Sequence, residues 1–215
     1  MTYLEIVNSV LRRLRENEVS SVNETPYSKM IAEMVNDVKR EVEDTWNWDV
    51  LRTTLTANTA NGLFNYVLVG SGTRFRVLDV INDTSDYVMN YRPTSWFDAV
   101  FLAQNAQNGA PIFYNFNGVD SNGDTQVDLY PIPNGAYNIH FNIIKPQAEL
   151  VSNSTQLKVP AEPVIFLAYA KALAERGEDG GLGTNEAYGL YRTSLADHVS
   201  IEGNKFDDEF IWNPV

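Results

Sequence analysis

Hydrophobic positions recur with one period at the two ends of the chain and with another in its middle. Leu4, Val7, Leu11 and Leu14 return at steps of three and four, the spacing of one helical face. Thr2 and Glu5 stand ahead of them as a capping box, in which the hydroxyl accepts from the first turn and the carboxylate reaches back. Arg12, Arg13 and Arg15 follow, where cations suit the negative end of a helix. After a polar stretch over 16–24, Thr25 predicts an N-cap and Pro26 a first helical position. Ile31, Met34, Val35, Val38, Val42 and Trp46 then make one stripe. Glu33, Asp37, Lys39, Arg40, Glu41 and Glu43 occupy the other side. The pattern predicts an amphipathic helix lying on a core, with these charges in water.

From about Arg52 to Lys158 the chain is rich in Thr, Asn, Val, Tyr and Phe, in short runs broken by turn residues. Strands are predicted over 53–57, 64–69, 75–81, 87–91, 112–116, 126–130 and 137–144. Asn61-Gly62, Asp120 to Asp124 and Pro133-Asn134-Gly135 supply the turns. Tyr137, Ile139, Phe141 and Ile143 alternate with Asn138, His140 and Asn142, as in a strand with one buried face. One short helix over 94–104 interrupts the strands. Together these runs predict a small sandwich or barrel.

Helical spacing returns after Pro160. Val164 to Arg176 is apolar nearly all round, which marks a buried helix, and its alanines allow close approach. Gly177 predicts a left-handed stop. A last helix is expected over 185–202, with Tyr188, Tyr191, Leu195, Val199 and Ile201 as its apolar positions. The fold class expected is therefore α+β. A discontinuous helical bundle is built from both termini (1–51 and 160–203). An antiparallel β-sandwich or barrel is inserted at 52–159, and an extended C-terminal arm follows over 204–215.

Charge narrows the choice of function. The 215 residues carry 16 Lys and Arg against 28 Asp and Glu, a net of −12. A surface built to grip nucleic acid or an anionic membrane is basic, so both are disfavoured. There is no cysteine, which removes thiolate metal sites and Cys nucleophiles. No apolar run reaches the roughly 18–20 residues of a spanning helix, and Met1 to Glu5 lacks the basic start of a signal peptide. Asp120-Ser121-Asn122-Gly123-Asp124 opens like a calcium loop, but Thr125 and Pro131 stand where glycine and glutamate are needed. The glycines between Gly177 and Gly183 follow a helix and have no lysine beside them, so they read as a connection rather than a phosphate cradle. His140 and His198 have no metal-spaced partner, and no Gly-x-Ser-x-Gly elbow selects a nucleophile. The expectation is no enzyme, no metal and no cofactor. Tyr66, Tyr87, Tyr91, Trp96, Tyr114 and Tyr130 remain as either a ligand platform or core packing.

Three stretches resemble a known family. They are Asn8-Ser9-Val10-Leu11-Arg12-Arg13-Leu14 with Val19-Ser20-Ser21, then Val38 through Trp46-Asn47-Trp48 into Arg52-Thr53-Thr54-Leu55-Thr56, and Pro163 to Gly177 with the segment to Glu202. They are similar to tailed-bacteriophage head-to-tail adaptors, the tail tubular proteins of the A type. The resemblance implies a structural virion protein assembled in the host cytoplasm. It implies a ring, typically twelve-fold, joining a portal protein to a tail nozzle or tube protein, with DNA passing through without specific binding; a tail fibre is a separate candidate partner. Residues 1–51 hold six Lys and Arg against ten Asp and Glu, 52–159 six against eight, and 160–215 four against ten. Acid concentrated in the helical module suits a conduit wall that repels DNA. Glu33, Asp37, Glu41 and Glu186 are the channel-facing candidates. In the arm, Phe206, Phe210, Ile211 and Trp212 are candidate anchors for a portal or neighbouring subunit. Asp207, Asp208 and Glu209 are placed to meet basic residues at the rim of its groove. The rival expectation is a β-domain binding module for a tail fibre or a carbohydrate.

Overall fold

The computed structural model describes residues 1–177 and 182–205. The chain divides into two compact units. One joins Met1–Leu51 to the chain from Gln147 onward, and the other is Arg52–Pro146.

The helical unit is built from α1 (Tyr3–Arg13) and α2 (Pro26–Thr45) with α4 (Ala161–Glu175) and α5 (Leu182–Gly203). Both predicted caps form. Thr2 and Glu5 exchange hydrogen bonds across the first turn of α1, and Thr25 does the same with Ser28 in α2. Ile6, Val7, Val10 and Leu11 of α1, Ile31, Val35, Val38 and Val42 of α2, and Val164, Leu167, Ala168 and Leu173 of α4 are all buried. Gly177 takes φ 76° after α4, the left-handed conformation in which it costs least.

Four expectations change here. Trp46 is 39 % exposed while Trp48 is 1 % exposed. The helical period ends at Thr45, and Trp48 returns to the core just before a turn of 3-10 helix (Asp49–Leu51), its indole N–H donating to the Val42 carbonyl at 2.8 Å. Lys39 and Glu43 do not face water: both are buried. A second surface covers their side of α2, because residues 147–150 run along it, while 153–157 pair with the start of the chain and the loop before α2. Those residues lie in the helical unit and not with the strands. On α5 the buried positions are Thr184, Ala187, Ser194 and Glu202, while Ile201 is 62 % exposed.

The β unit holds ten strands, one α-helix and a 3-10 turn (Asp83–Ser85): β1 (Arg52–Asn58), β2 (Asn65–Val67), β3 (Arg76–Asn82), β4 (Tyr87–Val88), β5 (Asn90–Tyr91), α3 (Thr94–Leu102), β6 (Asn108–Gly109), β7 (Phe113–Val119), β8 (Thr125–Tyr130), β9 (Ile132–Pro133) and β10 (Asn138–Ile144). Two four-stranded sheets run β1-β10-β3-β4 and β2-β8-β7-β5, with β6 and β9 as a separate pair. They form an open sandwich, not a closed barrel. Ala57, Val80, Ile139, Phe141 and Ile143 from one sheet meet Tyr114, Val127 and Leu129 of the other in a single core, joined by Leu68 just past β2 and Met89 between β4 and β5. Pairing is antiparallel except for β5 with β7 and β6 with β9. The single strand expected over 87–91 is two. Met89 is buried between β4 and β5, and the chain there changes sheet.

The alternation expected for β10 holds. Its inner residues are in the core, and its outer polar residues tie three strands together. Asn142 accepts from Thr54 on β1 at 2.6 Å and donates to Asp79 on β3 at 2.5 Å. His140 lies 2.9 Å from the Thr56 hydroxyl and 2.7 Å from the Asp83 carboxylate, just past β3. This histidine holds strands in register.

Candidate functional site

Two features of the helical unit carry chemistry beyond packing. The first is a polar clasp along α2. Lys39, Glu43 and Asn36 are spaced at three and four residues, so they share one face. The Lys39 ammonium lies 3.2 Å from Glu43 Oε1 and donates to the carbonyls of Gln147 at 2.6 Å and Ala148 at 3.3 Å. The same Glu43 oxygen accepts the Gln147 N–H at 3.1 Å. Asn36 closes both backbone groups of Leu150, accepting its N–H at 2.9 Å and donating to its carbonyl at 3.1 Å. Further along, Asn153 accepts the Val22 N–H, and Tyr3 and Leu157 pair with Thr155 and Met1 through the backbone. A polar segment with no helix or strand period is thus fixed to the bundle by side chains that replace a sheet partner. Tyr3 belongs to the same network, donating to the Ala32 carbonyl at 2.7 Å and accepting from Asn36 at 3.0 Å. Burial pushes its phenol up to about 12, and the Glu33 and Glu149 carboxylates add to the shift.

The second feature is a cavity of about 350 Å³ at the other end of α2, lined by Arg13, Leu14, Arg15, Tyr169, Leu173 and Arg176. Arg176 donates to the Tyr27 hydroxyl at 2.7 Å and to Glu16 at 2.5 Å. Arg13 donates to the Ser9 carbonyl and lies 5.3 Å from the centre of the Phe166 ring. Sequence reasoning placed these cations only as a complement to a helix end. That α4 delivers a third arginine to them is a tertiary fact that no local pattern carries.

The channel candidates Glu33, Asp37, Glu41 and Glu186 are all exposed. The first three form one row on α2 at steps of four. Asp37 lies 3.6 Å from Arg40, and Glu41 pairs with Lys171 of α4, so the row is partly neutralised. The arm residues Phe206, Phe210, Ile211 and Trp212 lie outside the described residues. At the end of α5, Glu202 accepts the Asp49 N–H at 2.8 Å and pairs with Lys205 at 2.6 Å. Burial alone would raise the Glu202 carboxyl, but these two partners outweigh it and hold it below the usual range.

In the β unit most of the aromatic candidates are spent on packing. Tyr114 is buried, and Trp96 stacks edge-on against Phe113 and Tyr130. Tyr66 donates its hydroxyl to the Leu63 carbonyl. Tyr87 and Tyr91 are exposed beside Val88 at the corner where the chain changes sheet. The turn at Asp120 is closed by its own backbone: Asp120 accepts from Asn122 and Asp124, and Asp124 accepts the N–H groups of Gly70 and Gly72. Those two N–H groups hold the Asp124 carboxyl below its usual range. The described residues include no cluster of metal-ligating side chains, and no described helix is long and apolar enough to cross a membrane.

Residues 1–205 match the family model described as SU10 adaptor protein. No curated protein matches the chain.

Proposed function

The chain belongs to the SU10 adaptor protein family, and from that premise we propose a ring-forming head-to-tail adaptor in the phage particle. In this reading copies of the chain assemble into a closed ring between the portal and the tail nozzle or tube. The likeness to the A-type tail tubular proteins refines the same idea. The ring does no catalysis and needs no cofactor. It is assembled in the host cytoplasm and lines part of the path that DNA takes during ejection.

The observation that carries this reading is the family match over 1–205, nearly the whole chain. Charge supports it. The acid concentrates in the helical segments, and Glu33, Asp37, Glu41 and Glu186 are exposed there. We assign these four to the channel wall, where like charge keeps a polyanion from sticking. Phe206, Phe210, Ile211 and Trp212 are the arm's anchors, and buried aromatic anchors of this kind contribute about 2 kcal/mol or more each. A second reading, attachment of a tail fibre or a carbohydrate, rests on the exposed Tyr87, Val88 and Tyr91.

Mixing the purified protein with portal rings, and following complex formation by sedimentation, tests the main reading. The full chain is expected to cap the portal, and a chain lacking 206–215 to keep its melting behaviour while losing that binding. Glycan binding without portal binding would favour the second reading. A truncated chain that still binds the portal with unchanged affinity would remove the arm from the mechanism.

A further inference from the structure

The cavity lined by Arg13, Arg15 and Arg176 is a basic site in a strongly acidic protein. Its backbone is also unusual. Arg15 follows α1 at φ 58°, its N–H bonded to the Arg12 carbonyl while the Glu16 N–H bonds to Leu11. That is the closing pattern of a helix whose left-handed position is normally glycine, because a side chain there is strained. Here the position carries an arginine whose residue lines the cavity. Arg176 is ion-paired with Glu16 and Arg13 is held by the Ser9 carbonyl and the Phe166 ring, but neither Arg13 nor Arg15 has an ion-pair partner among the described residues.

The sequence offers a matching ligand: Phe206-Asp207-Asp208-Glu209-Phe210, three consecutive carboxylates between two aromatic rings. Geometry decides whose copy supplies it. The cavity lies by the first turn of α2, through the Arg176–Tyr27 bond. The end of α5 lies past the last turn of α2, where Glu202 meets Asp49 and Gly203 approaches Trp46. A helix of 20 residues separates these points, which is about 30 Å. The acidic run begins two residues after Lys205 and ends four after it, so it reaches at most about 14 Å from there at full extension. It cannot reach the cavity of its own chain.

We propose that the arginine cavity between the end of α1 and α4 receives the 207–209 carboxylates of a second copy of this chain, head to tail. Such a contact joins one surface to a different surface, and repeated around an axis it closes a ring. Arg13 and Arg15 are the residues left for the incoming charge, with Tyr169, Leu14 and Leu173 offering apolar surface to the flanking rings. The inference rests on the ring-forming reading above and names the contact between subunits.

The test uses two full-length variants. One reverses the cavity (Arg13→Glu with Arg15→Glu), the other the arm (Asp207→Lys, Asp208→Lys and Glu209→Lys). Sedimentation of the native chain is expected to show self-association, and each variant alone to have lost it. Their mixture restores it, because each then faces an oppositely charged partner. A labelled peptide of residues 206–215 is expected to bind the native chain and to bind Arg15→Glu at least about tenfold more weakly. Arg192→Glu, the same charge change on α5, leaves peptide binding unchanged. The inference is overturned by a native chain that binds no peptide, by variants that associate like the native chain, or by a mixture that stays apart. If the cavity variant associates normally while loss of the arm still abolishes portal binding, this contact is wrong and the adaptor reading stands.

Discussion

The two units solve the same problem, a closed core, by different means. The β unit fills its interior with large apolar side chains. Phe141, Tyr114 and Met89 sit with Leu129, Val127 and Ile139 between two sheets, and the polar residues of β10 remain on the outer face. The helical unit uses an aliphatic core of valines, leucines and alanines but also buries Lys39 and Glu43. The difference follows from connectivity. The β unit is one continuous stretch, so hairpins and register hold it. The helical unit is made from chain that leaves at residue 51 and returns at 147, and the returning segment has no regular structure of its own. A charge pair and two asparagines fix that segment by bonding backbone groups that have no helix or sheet partner of their own. Apolar area assembles each unit, and the polar clasp specifies where the two parts of the helical chain meet.

The sharpest way to break this contrast is to cut at the two possible boundaries. Arg52 and Ile144 are paired in register, so the chain enters and leaves the sandwich side by side. Replacing 52–146 by a short linker should leave the helical circular dichroism intact. Replacing 52–159 removes the pinned segment and should abolish it. Equal helicity in both would show that the clasp is ornamental.

Next in size are single side chains. Glu43→Ala leaves the Lys39 ammonium buried without its carboxylate and should cost about 3–5 kcal/mol in denaturant unfolding. Lys39→Met with Glu43→Leu together should cost clearly less than the sum of the two singles. In the β unit, Phe141→Ala should cost about 3–5 kcal/mol by the different route of an emptied ring site. Additive behaviour of the Lys39 and Glu43 changes would contradict their coupling.

Smaller and more specific is the alkaline limb. Folded Tyr3 keeps its proton to about 12, against 10.0 for the free side chain. It therefore supports the folded state fully below pH 10.0 and loses that contribution as pH rises towards 12. Tyr3→Phe removes two hydrogen bonds, costs about 1 kcal/mol at neutral pH, and should flatten the fall in stability above pH 10.0. An unchanged alkaline profile would mean that another group controls it. Smallest is Thr25→Ala, which opens the capping box of α2 and should cost about 1 kcal/mol by thermal melting.

The parts legible in the sequence were those decided by local physics. Capping chemistry placed the starts of α1 and α2, the step of three and four placed their buried stripe, and alternation placed the faces of β10. The failures share one cause. Helical periodicity says which side is most apolar, not how many sides are covered, so Lys39 and Glu43 fell on a supposed solvent face. Trp46 and Trp48 are two residues apart, and which one is buried depends on where α2 stops. On α5 the large residues carry the apolar spacing, yet small ones such as Thr184, Ala187 and Ser194 are the buried ones. For the site, charge proposes the acidic row on α2 and the arm as interaction surfaces. The arginine cavity could not be read from the sequence, because Arg13 and Arg176 are 163 positions apart in a chain without a motif linking them.

The central claim is that this chain acts as a ring between portal and tail. Native mass spectrometry of the protein bound to portal rings measures it most directly. The account predicts a single complex carrying a fixed whole number of chains per portal, with electron micrographs showing a closed ring on one face and an acidic lumen. A protein that stays monomeric beside intact portal rings, or a ring whose lumen is basic, would contradict it.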